Sequence, residues 1–240
     1  MERQSFNASV RLRGVFTIVK YFNENSTLIV FDLDDTLYKE IDYKISGIKA
    51  VIDHICLVYD LDVVQNYDAA HLEEAETDWL SFICKDLQIN EATKESLLWV
   101  YRLHAPIITM NENTKTLVDY LADRKRIAII TDGRSITQRL KIHALGLSKI
   151  PAYISEDFNA SKPSTLMYNR VMEDIPAKRY CYIGDNPAKD FIAPNALGWT
   201  TVGVLDNGRN IHSQNNTSLC HDQKPHHWID DIGDLLPLIG

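Results

Sequence analysis

The chain has 240 residues, 45% of them hydrophobic and 24% charged, and carries a formal net charge of -8. That length can bury a sizeable core in one large domain or two modest ones, and the composition excludes a disordered or fibrous chain. The negative charge argues against a general binder of nucleic acid or of anionic membranes, while leaving room for a local basic pocket that holds one phosphate.

The four cysteines, Cys56, Cys84, Cys181 and Cys220, stand far apart and form no C-x-x-C pair, a pattern that reads as thiols rather than a disulfide framework. The arginines near the amino terminus are not followed by the apolar core of a signal peptide, and no apolar run reaches membrane-spanning length. The expected location is therefore the cytoplasm.

In chain order, Leu12, Val15, Phe16, Val19 and Phe22 recur at helical spacing and predict an amphipathic helix over residues 9–22. The unbroken apolar run Leu28-Ile29-Val30-Phe31 then predicts a strand buried on both faces, as in a parallel sheet, and it runs straight into Asp32, Asp34 and Asp35. Carboxylates grouped at a strand end are costly unless a cation or hydrogen bonds compensate them, which suggests a hard-metal site there.

After Thr36 the pattern becomes helical. One stripe is Ile48, Val51, Ile52, Ile55 and Tyr59; a second is Leu72, Trp79, Leu80, Ile83 and Leu87; a third, Leu97, Val100 and Tyr101, is closed by Pro106. From about residue 113 strands and helices alternate. A helix carries Leu117, Val118 and Leu121; a strand spans Ile127 to Ile130; a helix runs from Ile136 to Leu145 with Gly146 as its C-cap; a short strand lies at Tyr153. A helix opened by Pro163 follows, then a strand from Tyr180 to Ile183, a helical turn from Phe191 to Ala196 and a strand from Thr200 to Val204.

Such alternation means right-handed crossovers and an α/β fold: a Rossmann-like, doubly wound parallel sheet core with an inserted all-helical domain. The expected division is residues 1–39 and 113–240 for the α/β core and 40–112 for the helical insertion. In the tail, the polar stretch from Asn207-Gly208 to Gln223 reads as a surface loop, and Trp228 to Leu238 as a closing helix. His221, His226 and His227 lack acidic or cysteine partners at ligand spacing and are read as surface residues.

Each later strand also ends in polar residues. The second ends in Thr131-Asp132-Gly133-Arg134, and the strand at Tyr182-Ile183 ends in Gly184-Asp185-Asn186-Pro187-Ala188-Lys189-Asp190, while Lys162 precedes Pro163. Ligands bind at the carboxyl edge of open parallel sheets, so these groups are expected to meet there. Three carboxylates can hold Mg2+ in oxygen coordination, and a lysine and a threonine can hold the remaining oxygens of a phosphoryl group. One aspartate can then attack phosphorus while a second, two residues on, protonates the leaving group and later activates water.

Asp32-Leu33-Asp34-Asp35-Thr36, Thr131, Lys162, and Gly184-Asp185 with Asp190 resemble, in order, the four motifs of the haloacid dehalogenase (HAD) superfamily, and the resemblance covers essentially the whole chain. The helical insertion has the position and size of that family's C1-type cap. The resemblance implies that Asp32 is the nucleophile and a metal ligand, and that Asp34 is the general acid/base with its backbone carbonyl on the metal. Thr131 and Lys162 would bind the phosphoryl group, with Lys162 also offsetting the charge of Asp32. Asp185 would be a direct metal ligand, and Asp190 an outer-shell or water-mediated one. Thr36 would support the first motif. Asp132 is a further candidate beside the phosphate; for it and for Arg134, capping and surface pairing are the alternative reading.

The family's dehalogenases lack an acid/base two residues after the nucleophile, so Asp34 points to phosphoryl transfer. The implied function is a Mg2+-dependent phosphatase, a monomer or homodimer, acting on a small phosphorylated metabolite such as a sugar phosphate or nucleoside monophosphate. A phosphomutase of the same superfamily is the alternative, and a non-catalytic binding protein of this fold is a third. Tyr38 and Lys39 at the hinge, and Arg102 and His104 near the return of the insertion, are the candidates for substrate contact.

Overall fold

The computed structural model describes residues 26–61, 67–75, 78–212, 214 and 219–238. The expected helix at 9–22 lies outside the described residues. The chain divides into two compact units, one built from residues 1–39, 110–135 and 148–240 and the other from 40–109 and 136–147.

The α/β unit is organised on a six-stranded sheet of β1 (Thr27–Phe31), β2 (Ile127–Thr131), β3 (Ala152–Ile154), β4 (Arg179–Gly184), β5 (Thr200–Val204) and β6 (His227–Ile229), in the order β3-β2-β1-β4-β5-β6. All neighbours are parallel. Every residue of β1 and β2 is buried, which explains why these strands read as continuous apolar runs instead of alternating ones. β1 and β4 pair with Phe31 opposite Ile183, and the Asp32 amide extends the ladder by donating to the Ile183 carbonyl at 2.8 Å. The two central strands therefore end side by side.

One face of the sheet packs Leu28, Val30, Ala128, Ile130 and Tyr182 against Met167, Tyr168 and Val171 of α8 (Leu166–Asp174). Full burial of such side chains contributes about 1.5–3 kcal/mol each. Helix α5 (Glu112–Asp123) buries Leu117, Val118 and Leu121, and the Asn111 side chain caps its first turn by accepting from Thr114 N at 2.7 Å.

The tail departs from expectation. In place of a helix over residues 228–238, His227–Ile229 forms β6 and Ile232–Leu238 a 3-10 helix. An open edge of β5 offers unpaired backbone groups, and Val202 to Val204 pair with these three residues, with Leu205 N donating to Ile229 O at 2.8 Å. Gly203 admits the Trp228 ring, since a Cβ there would lie 2.4 Å from it. Similarly, the helix expected to open at Pro163 starts only at Leu166, because residues 161–164 close a separate turn with Ser164 N donating to Ser161 O at 2.9 Å.

The helical unit comprises α1 (Glu40–Tyr59), α2 (Ala69–Ala75), α3 (Trp79–Asp86), α4 (Glu91–Leu103) and most of α6 (Ser135–Ala144). Its core joins Ile48, Val51, Ile52 and Ile55 of α1 to Leu72, Leu80, Ile83, Cys84, Ile89 and Leu97. Gly47 lets α4 approach closely, as a Cβ there would meet the Tyr101 ring at 2.4 Å. Residues 136–147 group with these helices although they follow β2: Lys141 Nζ lies 4.3 Å above the Tyr43 ring, and Thr137 Oγ1 donates to Arg102 O at 3.4 Å. Periodicity reports the face a helix buries, not the unit that buries it.

Candidate active site

The site is built where β1, β2 and β4 end. Asp32 follows β1 directly and is 5% exposed, so its carboxylate must find a partner inside the protein. Lys162 compensates it. The Lys162 ammonium, its side chain fully buried, donates to Asp32 Oδ1 at 2.6 Å, to Asp190 Oδ1 at 2.7 Å and to the Tyr182 hydroxyl at 3.0 Å. An ammonium has three protons, and here three acceptors face it. Asp190 is in turn fixed by the Asn186 amide, which donates to Oδ2 at 2.8 Å. Gly184 is required beside it, because a Cβ at that position would lie 2.6 Å from Asp190 Oδ2.

Asp185, the residue after β4, completes the cluster. Asp32, Asp185 and Asp190 are all buried, and each offers an oxygen within 4.8 Å of the others. Burial, with Asp190 adding to it and Lys162 opposing, raises the Asp32 carboxyl to about 7. Burial, followed by the negative charges of Asp190 and Asp32, raises Asp185 to about 9. For Lys162 burial disfavours the charged form, but Asp190 and Asp32 reverse this and hold it well above the usual lysine range. The cluster thus carries more negative charge than its own cation neutralises. Hard oxygen donors with surplus negative charge fit a divalent cation, and Asp32, Asp185 and Asp190 are the residues that would hold it.

The other expected residues are placed as follows. Asp34 is half-buried and outside the carboxylate cluster, with Oδ1 accepting from the Tyr38 hydroxyl. Asp35 adopts φ 56° in the left-handed region and accepts the Ile211 amide on Oδ2 at 2.8 Å. Thr131 is buried at the end of β2. The Asp132 carboxylate is engaged on both oxygens, by Lys162 N at 3.0 Å and by Lys189 Nζ at 3.3 Å, so it ties the loops after β2 and β4 to Lys162. Lys39 donates to Asn210 Oδ1 at 2.6 Å. Arg102 and His104 belong to the helical unit. Arg102 stacks over Trp99 at 5.1 Å, and the buried His104 ring meets Tyr101 O at 2.6 Å and Ser46 Oγ at 3.1 Å.

Four site residues carry no assignment from the sequence. Lys189 stands inside the run from Gly184 to Asp190, and its charge acts to lower the Asp32 carboxyl. Tyr182 reads only as a core strand residue. Asn210 and Gln214 sit in the polar tail, yet they bond Asp185 through Oδ2 at 3.1 Å and through its carbonyl at 2.6 Å. No local pattern could have found these two. Among the described residues, the aspartate trio is the metal-competent group, and His221, His226 and His227 form none.

A family profile described as haloacid dehalogenase-like hydrolase matches residues 29–204, from within β1 to the end of β5, and includes the insertion and all four motif positions. The chain belongs to this hydrolase family. A glyceraldehyde 3-phosphate phosphatase of Methanocaldococcus jannaschii is 25% identical to this HAD hydrolase over 192 residues, 74% of the chain and 84% of the relative. Among solved structures, YfnB of Bacillus subtilis, a HAD-family protein bound to magnesium, superposes with TM-score 0.56 at 19% identity over 90% of this chain and 99% of its own. A 2-haloacid dehalogenase of Pseudomonas syringae pv. Tomato superposes with TM-score 0.55 at 16% identity over 89% and 97%. At these identities the two structures share the fold. No described helix is long and apolar enough to cross a membrane.

Proposed function

We propose that this HAD hydrolase is a Mg2+-dependent phosphatase that cleaves a small phosphorylated metabolite through an aspartyl phosphate on Asp32, with residues 40–112 as its cap domain. The observation that carries the reading is Asp34: a half-buried carboxylate stands two residues after a lysine-clamped one, outside the buried trio, with the Tyr38 hydroxyl donating to its Oδ1. A dehalogenase has no use for a proton donor there; ester cleavage does. The phosphatase relative, whose substrate is a phosphorylated three-carbon aldehyde by name, supports the same reaction class.

In the first step the Asp32 carboxylate attacks phosphorus, the bond from phosphorus to the ester oxygen breaks, and Asp34 gives its proton to the departing alkoxide. In the second, Asp34 takes a proton from water as that water attacks phosphorus, and the bond to Asp32 breaks to return the carboxylate. Lys162 holds the Asp32 charge in place, and Lys162 and Thr131 stabilise the phosphoryl oxygens. A bound Mg2+ would offset the remaining negative charge between the carboxylates and the phosphate.

A screen of phosphorylated metabolites for phosphate release with Mg2+, run beside Asp32→Asn, tests this. Release by the native enzyme and none by the variant are expected. Equal turnover in Asp32→Asn removes the covalent route, and turnover that needs a bisphosphate activator and frees no phosphate favours a mutase.

A further inference from the structure

We infer that Asn210 is a positioning residue for the metal site, held in place by Lys39 and setting the orientation of the Asp185 carboxylate; this rests on the reading that the aspartate trio binds a divalent cation. Residues 206–212 and Gln214 gather at Asp185. Asp206 Oδ1 accepts the amides of Gly208, Arg209 and Asn210 at 2.8, 3.1 and 3.0 Å, which fixes the backbone that carries the Asn210 side chain. The Ile211 amide is anchored on Asp35 Oδ2 at 2.8 Å, one residue after Asp34. Gln214 accepts from Asp206 N at 2.8 Å on Oε1 and donates from Nε2 to the carbonyls of Asp185 at 2.6 Å and Val204 at 2.7 Å.

The direction of the Asn210 amide follows from its partners. Lys39 can only donate, so the atom at 2.6 Å from its Nζ is the amide oxygen, which leaves Nδ2 toward Asp185 Oδ2 at 3.1 Å. A carboxylate without such a donor rotates more freely about its terminal torsion. With it, one oxygen of Asp185 is engaged and the carboxylate plane is set before any cation arrives. Groups that orient a metal ligand in this way typically change metal affinity by about 10- to 100-fold when removed. Lys39 also ends the first segment of the α/β unit, since the helical unit begins at Glu40. The orientation of the Asp185 carboxylate is thus tied to the last residue of that segment.

Isothermal titration of metal-free protein with MgCl2, in the absence of substrate, tests the assignment on native protein, Asn210→Ala, Lys39→Met and Asp185→Asn. Native protein should bind one Mg2+ and Asp185→Asn should not. Asn210→Ala should bind about 10-fold or more weakly, and Lys39→Met, which leaves the bonds of the loop intact, should shift affinity in the same direction by less. In steady-state assays Asn210→Ala should raise the Mg2+ concentration needed for half-maximal rate while leaving the substrate KM at saturating Mg2+ unchanged. A merely structural residue would lower the melting temperature of the metal-free protein without this split. Unchanged Mg2+ affinity in Asn210→Ala and Lys39→Met overturns the inference while the cation reading stands; absence of Mg2+ binding to native protein overturns both.

Discussion

At the carboxyl edge of the sheet, Asp32, Asp185, Asp190 and Lys162 are buried close enough to perturb one another strongly, whereas in the helical unit two of the buried polar side chains, Ser46 and His104, bond to each other as a hydroxyl and a ring. Lys141, a buried cation of the helical unit, is spread over the face of Tyr43. The two regions therefore relate to stability in opposite ways. The helical core is apolar packing around Ile48, Val51, Ile52 and Ile55. Ionised together, the carboxylates of the sheet edge cost stability until protons or a cation neutralise them.

The contrast can be broken or sharpened by substitution. Asp34→Asn should lower kcat by about 10²- to 10⁴-fold while leaving Mg2+ affinity intact, as measured by steady-state kinetics beside calorimetry. Lys162→Met strands two buried carboxylates, Asp32 and Asp190, and should cost about 3–5 kcal/mol in urea unfolding of the metal-free protein; a cost near zero would show that the cluster takes up protons instead. Ile55→Ala, fully buried in the helical core, should cost about 2–5 kcal/mol with no change in Mg2+ affinity. If it weakened Mg2+ binding as well, the separation of roles would fail.

The smallest effect is on pH. Asp185 at about 9 and Asp32 at about 7 lie above their ordinary 3.8, so the native state holds these protons more tightly than the unfolded chain. Metal-free protein should gain stability from this site as pH falls through about 9 and about 7 toward 3.8. His104 has the opposite sign. Burial lowers its titration below 6.5, so its contribution is present above 6.5 and is lost as pH falls through the lowered value. Melting curves on either side of neutrality check both. Saturating Mg2+, which binds the deprotonated carboxylates, should reverse the first trend, and His104→Gln should remove the second.

Much of this organisation is legible in the chain. The apolar run before Asp32 marks β1 because a strand covered on both faces has no polar alternation to confuse it. The positions of Asp32, Lys162, Asp185 and Asp190 at strand ends or helix starts are enough to anticipate that one sheet edge gathers them. Two features escape for one reason. β6 is three residues long and takes its shape from the open edge of β5, and Asn210 and Gln214 take their meaning from Asp185, more than twenty residues earlier. Long-range pairing leaves no local period. The packing of residues 136–147 with the insertion is hidden in the same way, since an amphipathic helix after a strand reads identically whichever unit covers it.

The pairing of β1 with β4 has a last consequence. Asp32 and Asp185 each step off a central strand, with Phe31 locked opposite Ile183 and Asp32 still hydrogen-bonded to the neighbouring strand. Their separation is therefore ruled by the spacing of adjacent strands, about 4.8 Å, and not by any loop. Loops can lengthen, shorten or exchange residues without resetting that ruler. Only a slip in register would reset it, and a slip by one residue would also turn the β1 side chains to the wrong faces of the sheet. The distance between Asp32 and Asp185 is thus inherited with the sheet, and changes in the loops leave it untouched.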